Sequence, residues 1–264
     1  MTLLRAFAQR AVDSAPQETP PAVAVRGLVF QRGKQTVVKV DTLDIRRNDV
    51  LAIVGPNGAG KTTLLLCLAL LLVPTAGTIA FDGVRAKDML RQRRRMAVVF
   101  QDPLLIDMSV QENIALGLRF RGLDRQTITQ RTGYWLERFG IAQLAHRRAR
   151  ELSRGEAQRV SLARAFVTQP EILFLDEPFT NLDGPTHRAL IDSLAAVLAE
   201  TGVTTVIISH DLKDVLHLAS KVAVMISGAI RQLGRPRDVF AYPLRDDVQA
   251  FLVAHRTGGG LAAP

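Results

Sequence analysis

Cysteine is nearly absent: Cys67 is the only one in 264 residues, so no disulfide can form within the chain. That fits a reducing compartment. Cys67 sits inside a leucine run, which marks it as core packing rather than chemistry. Long apolar runs are lacking too. The longest, Leu64 to Val73, has ten residues and ends at Pro74, against about 20 for a bilayer-spanning helix. A function at a membrane would need spans from another chain. No secretory leader is expected, since "MTLLRAFAQRAV" carries arginines but neither an apolar centre nor a cleavage site. No internal repeat of solenoid period occurs.

What is present is an ordinary globular composition, 47% hydrophobic and 22% charged, in a chain long enough to bury a core without staples. Net charge is +9. The arginines cluster at "RQRRR" (Arg91 to Arg95) and "HRRAR" (His146 to Arg150). Such runs serve as solvated faces, or as surfaces for an anionic membrane or nucleic acid. "DSAPQETPP" reads as a Pro-rich linker, so residues 1–21 are expected to be a flexible extension. The tail, 255–264, with "RTGGGLAAP", is expected to be disordered.

Three apolar runs end in chemistry. "DVLAIV" (Asp49 to Val54) reads as a buried strand, and "GPNGAGKT" follows at once, before a helix from about Gly60 to Val73. Strand, G-x-x-x-x-G-K-T and helix make a phosphate-binding loop. Its glycines, Gly55, Gly58 and Gly60, let backbone N–H groups approach phosphate; Lys61 reaches the outer phosphates, and the Thr62 hydroxyl suits Mg²⁺. "EILFLDEP" delivers two acids, Asp176 to hold Mg²⁺ through water and Glu177 to polarise an attacking water. "VTTVIISHD" ends in His210. Ligands of open α/β sheets bind at the carboxyl ends of strands, so Lys61, Glu177 and His210 should converge on one rim.

Gln101 follows another apolar run, "MAVVF". Asp183 stands before Gly184 and Pro185 as a helix cap, and Gly202 closes that helix. In "ELSRGEAQRVSLARA", Ser153 and Glu156 have capping-box spacing around a Gly-bearing turn, a second site ready for phosphate.

In this order the motifs resemble those of the ATP-binding cassette family, the nucleotide-binding subunits of ABC transporters. The resemblance runs from Ala22 to about Phe251. "GPNGAGKTT" resembles the Walker A loop, so Gly55, Pro56, Asn57, Gly58, Ala59, Gly60, Lys61, Thr62 and Thr63 are implied to hold ATP. "ILFLDEP" resembles Walker B with its following glutamate. Gln101 falls at the Q-loop, "NLD" with Asp183 at the D-loop, and His210 at the switch histidine. The resemblance thus implies Glu177, His210, Lys61 and Gln101 as catalytic, and Thr62, Gln101 and Asp176 around Mg²⁺. "LSRGE" resembles the LSGGQ signature, implying that Ser153, Gly155 and Glu156 act on ATP held by a second copy. It departs at Arg154, where glycine is usual, and at Glu156, where glutamine is usual. At the usual adenine-stacking tyrosine stands Arg32, with Phe30 two residues earlier on the same strand face; either can cover the base.

The implied fold is α/β: a P-loop, RecA-like core with a mostly parallel sheet, an antiparallel β-subdomain, and a helical subdomain at about 102–165, all within 22–254. The implied assembly is a homodimer on integral membrane permease subunits, peripheral to the cytoplasmic face of the inner membrane, served by a separate solute-binding protein. A short coupling helix of the permease would enter the groove near Gln101. The strings around Gln101 and Ser153, and the short stretch after Gly228, look most like oxyanion importer ATPases of tungstate or molybdate type. The competing reading is a soluble ATPase of the same family acting on nucleic acid or ribosomes. One Walker A, one cysteine and no sustained heptads argue against it, and no nucleic-acid partner is expected. A GTPase would want N-K-x-D, which does not occur.

Overall fold

A computed structural model describes residues 20–86 and 88–259. Two sheets organise it. The first is antiparallel, in the order β2-β1-β4-β5, from β1 (Val23–Arg32), β2 (Gln35–Ile45), β4 (Ala76–Phe81) and β5 (Val84–Arg85). The second runs β10-β9-β3-β8-β7-β6, from β3 (Val50–Val54), β6 (Met96–Val99), β7 (Ile172–Asp176), β8 (Thr204–Ile208), β9 (Lys221–Ile226) and β10 (Ala229–Gly234). All its pairings are parallel except the edge pair β10–β9. Every residue of β7 and β8 is buried, as a parallel sheet covered on both faces requires.

Helix α1 (Lys61–Leu68) follows β3, and α2 (Met89–Arg93) precedes β6. Three helices form a separate layer: α3 (Val110–Phe120), α4 (Arg125–Arg138) and α5 (Arg154–Phe166). Trp135 stacks between Phe139 and Phe166 there, at 5.9 and 5.1 Å between ring centroids. The chain ends in α6 (Gly184–Thr201), α7 (Leu212–Leu218), α8 (Pro236–Ala241) and α9 (Asp246–Gly259). No helix among the described residues is long and apolar enough to cross a membrane. The expected fold class is the one observed: a parallel core sheet, an antiparallel sheet and a helical layer.

Some expectations need correction. Helix α1 stops at Leu68, five residues short of Val73. Leu70 takes a left-handed φ of 58°, and the Leu71 N–H reaches back to Leu66 O at 2.8 Å, closing the helix as a glycine usually would. Apolar periodicity could not reveal this, because the run stays apolar through Leu71 and Val73 even though both are exposed. Residues 255–259, expected to be disordered, continue α9; the His255 ring lies 4.3 Å from that of Phe251, one turn back. Residues 260–264, and 1–19 of the extension, lie outside the described residues.

Part of the arginine charge in the two clusters is engaged within the chain. Arg95 bridges Asp82 and Glu171, whose hydrogen bonds raise its guanidinium pKa above the ordinary arginine value. Arg93 donates to Leu70 O at 2.6 Å, pinning the turn after α1. Arg148 and Arg150 both face Asp107, at 3.6 and 3.7 Å.

Candidate functional site

The phosphate loop leaves β3 at Gly55. A Cβ there would stand 1.9 Å from Met225 O, so only glycine fits against β9. The loop ends as Gly60 caps α1. Lys61, 7% exposed, folds back and donates to Gly55 O at 2.8 Å and Pro56 O at 3.1 Å. Burial lowers its ammonium pKa, and the charges of Glu177 and Asp176 oppose that shift. The ammonium is thus held on neutral carbonyls that a phosphate can outcompete.

Thr62 donates from Oγ1 to Asp176 Oδ1 at 3.2 Å, joining the start of α1 to the end of β7. Burial raises the Asp176 carboxyl pKa; the Thr62 hydrogen bond counters it, Glu177 adds to it and Lys61 opposes it. One hydroxyl and one carboxylate side by side are a hard oxygen pair that fits Mg²⁺, which keeps its remaining positions for water and phosphate. Gln101, the third proposed magnesium ligand, lies exposed in the loop after β6, on the same carboxyl rim, with no hydrogen bond to either partner. The structure therefore brings two of the three together.

Glu177 follows at a left-handed φ of 46°, a strained turn for a non-glycine residue. Its N–H donates to Ile208 O at 3.1 Å, so the strain is held by β8. Its Oε2 accepts from Thr180 Oγ1 at 3.1 Å and lies 3.6 Å from His210 Nδ1. These groups line a cleft of about 210 Å³ that also includes Ser209 and Asn181. The expected convergence of Lys61, Glu177 and His210 on one rim is what β3, β7 and β8 produce by running parallel.

Ser153 N-caps α5: its N–H donates to Glu156 Oε2 at 2.8 Å, and its Oγ accepts from Glu156 N at 3.3 Å. Arg154 donates to Asp102, next to Gln101, at 3.0 Å. Gly155 is buried, and a Cβ on it would stand 2.5 Å from Thr186 Cγ2. The signature turn is thereby packed on the start of α6, where Asp183 accepts from Thr186 N at 3.0 Å. Phe30 packs partly buried against the core, whereas Arg32 is exposed. A bulge in the β1–β2 pairing falls between Phe30 and Gln31, so simple alternation does not put the two in one environment.

Sequence reasoning missed Thr180, Ser209 and the His187–Asp214 pair, all in the wall of the cleft. The one available signal was Asp214, four residues after His210.

The family model described as ABC transporter matches residues 38–180, and the chain belongs to that family. It is 37% identical to the spermidine/putrescine import ATP-binding protein PotA of Roseobacter denitrificans, over 89% of this chain and 65% of that protein. It is equally similar to the molybdate/tungstate import ATP-binding protein WtpC of Pyrococcus abyssi, 37% over 80% of this chain and 62% of that protein. The sulfate/thiosulfate import ATP-binding protein CysA 2 of Rhizobium meliloti also stands at 37%, over 87% and 64%. The chain thus spans a little under two thirds of the length of these curated relatives. Among solved structures, CbiO1 of Clostridium perfringens, part of an ABC transporter complex, superposes with a TM-score of 0.78 at 31% identity, covering 84% of this chain and 92% of that one. A dimeric ATP-binding cassette in a post-hydrolysis state with ADP and phosphate gives 0.74 at 26%, covering 81% and 99%.

Proposed function

We propose that this chain is the Mg²⁺-dependent ATPase subunit of an ABC importer, working as a homodimer on the cytoplasmic face of the membrane beneath permease subunits. The observation that carries this reading is the rim itself: Lys61, the Thr62–Asp176 pair and the Glu177–His210 pair stand at the carboxyl ends of adjacent parallel strands. Lys61 exchanges its loop carbonyls for the outer phosphates. Thr62 and Asp176 hold Mg²⁺, which neutralises phosphate charge when bound. Glu177 polarises the attacking water, and His210 steadies the charge that develops on phosphate. Arg32, the freer of the two candidates, covers the base. Ser153 and Gly155 close over ATP on the second copy, with the Glu156 carboxylate as the anion to be displaced from the cap. Residues 22–254 form the ATPase domain, with 102–165 as its helical part.

Leu104 and Ile106, exposed just beyond Gln101, support a permease contact there. A solute-binding protein delivers the solute, which we take to be an oxyanion of tungstate or molybdate type on the strings around Gln101 and Ser153. The polyamine and sulfate importers among the relatives are the alternatives; the solute bound by the binding protein that copurifies with the complex decides. The pairing of Arg95 with Asp82 and Glu171 removes that cation from any nucleic-acid surface.

The test is complementation between Lys61→Ala and Ser153→Arg. Each homodimer has two damaged sites, and a mixed dimer has one intact site and one doubly broken site. Mixing should restore ATP hydrolysis; no restoration, together with full retention of wild-type activity when wild type is mixed with the Lys61→Ala/Ser153→Arg double variant, means that the signature does not act on a partner's nucleotide.

A further inference from the structure

Helices α6 and α7 meet through two histidine–aspartate contacts of opposite polarity. His187 on α6 reaches Asp214 on α7, Nε2 to Oδ2, at 3.1 Å. His217 on α7 reaches Asp192 on α6, Nε2 to Oδ1, at 3.3 Å. The first pair is internal, with Asp214 only 5% exposed, and the His187 ring rests on Phe179 at 5.5 Å between centroids. The second pair lies at the surface. Two residues that exchange roles between two helices fix both spacing and rotation, which one contact alone cannot do.

The two helices carry the two ends of the reactive rim. The strand ladder holds Asp176 against Ile208, and both chains then leave it. One passes through Glu177 to Asp183 and enters α6; the other passes through Ser209 and His210 and enters α7. Beyond the ladder and the Glu177–His210 contact at its end, the His–Asp contacts tie the two segments again. His187 and Asp214 line the same cleft as Glu177 and His210. An ionisable pair in that wall is costly, since burial raises the Asp214 pKa and His187 only partly offsets the effect. Apolar side chains would join two helices at less cost, so adhesion alone does not account for the pair.

We propose that these two pairs form a clamp between α6 and α7, and that His187 is the positioning residue that sets His210 against Glu177 for hydrolysis. The proposal rests on the reading of Glu177 and His210 given above. His187 does not touch nucleotide in it; it acts through Asp214 and the start of α7.

The test uses the full chain and measures steady-state MgATP hydrolysis, ATP affinity and melting temperature. His187→Ala should lower kcat on the order of 10- to 100-fold, the cost of a reacting group displaced by about an ångström, with ATP affinity little changed. His187→Gln, whose amide still reaches Asp214, should recover most of kcat. In a His210→Ala background, His187→Ala should remove no further activity while lowering the melting temperature as before. Unchanged kcat in His187→Ala, or additive losses in the double variant, overturns the clamp. A wild type that hydrolyses no MgATP removes the reading of Glu177 itself, a separate result. If His187→Ala does not fold, His187→Asn serves, since its amide is too short for Asp214. The His210 ring resonance should then shift from its wild-type position, and an unmoved resonance overturns the proposal.

Discussion

Glu177 Oε2 and His210 Nδ1 lie 3.6 Å apart, although 33 residues separate them in the chain. The parallel ladder between β7 and β8 makes them neighbours, and the strained turn at Glu177 aims the carboxylate at the imidazole. Removing either group tests the site from a different side.

Glu177→Gln keeps the side chain's size and its bond from Thr180 but removes the basic carboxylate. Phosphate release should slow on the order of 10²–10⁴-fold, the usual loss for a general base. ATP should still bind, and an ATP-bound dimer should accumulate on size exclusion. A variant that turns over at the wild-type rate rules out this role for Glu177.

Asp176 links the site to stability. Its folded-state pKa is raised by burial, so the folded chain holds that proton to higher pH than the unfolded chain, which releases it near about 4. Stability therefore falls as pH rises through this range. Asp176→Asn carries no such cost. Without Mg²⁺ and nucleotide it should melt above wild type at neutral pH, and the gap should shrink on acidification. A gap that widens as pH falls contradicts the burial argument.

Gly155 tests the packing of the signature turn. Gly155→Ala brings a methyl within 2.5 Å of Thr186 Cγ2. Overpacking of this kind costs about 1–3 kcal/mol, and it should appear as a lower denaturant midpoint with impaired hydrolysis. Thr186→Ser removes the clashing methyl and keeps the backbone bond to Asp183. The double variant should regain both properties; failure to do so would mean that Gly155 is needed for a reason other than this contact.

The proposed cover of the base by the planar Arg32 guanidinium would be tolerant of base identity, because every purine has a face to stack on. Arg32→Ala should raise the KM for ATP and GTP together, leaving their ratio near that of wild type. A change confined to ATP would reveal a base-reading hydrogen bond at Arg32.

The phosphate loop, the acids of "LDEP" and the Ser153–Glu156 cap were legible because each is local. A loop that presents backbone N–H groups, a strand that ends in carboxylates and a helix start that needs a cap all place their residues within a few positions of one another. Asp183 and Gly202 marked both ends of α6 for the same reason: caps act on the backbone beside them. The sequence by itself thus determined the family, the fold class and the residues that end each strand of the rim.

Only the tertiary structure decided who stands next to whom. Leu70 turns rather than continuing α1, since Arg93, 23 residues away, pins its carbonyl. Arg95 and Arg148 read as free charge until Asp82, Glu171 and Asp107 came to them from elsewhere. His187 meets Asp214 across 27 residues, with no spacing rule to announce it. The physical reason is common to all three. A side chain's partner across an interface is set by how strands and helices dock, and docking depends on apolar burial summed over the whole core, not on any short stretch.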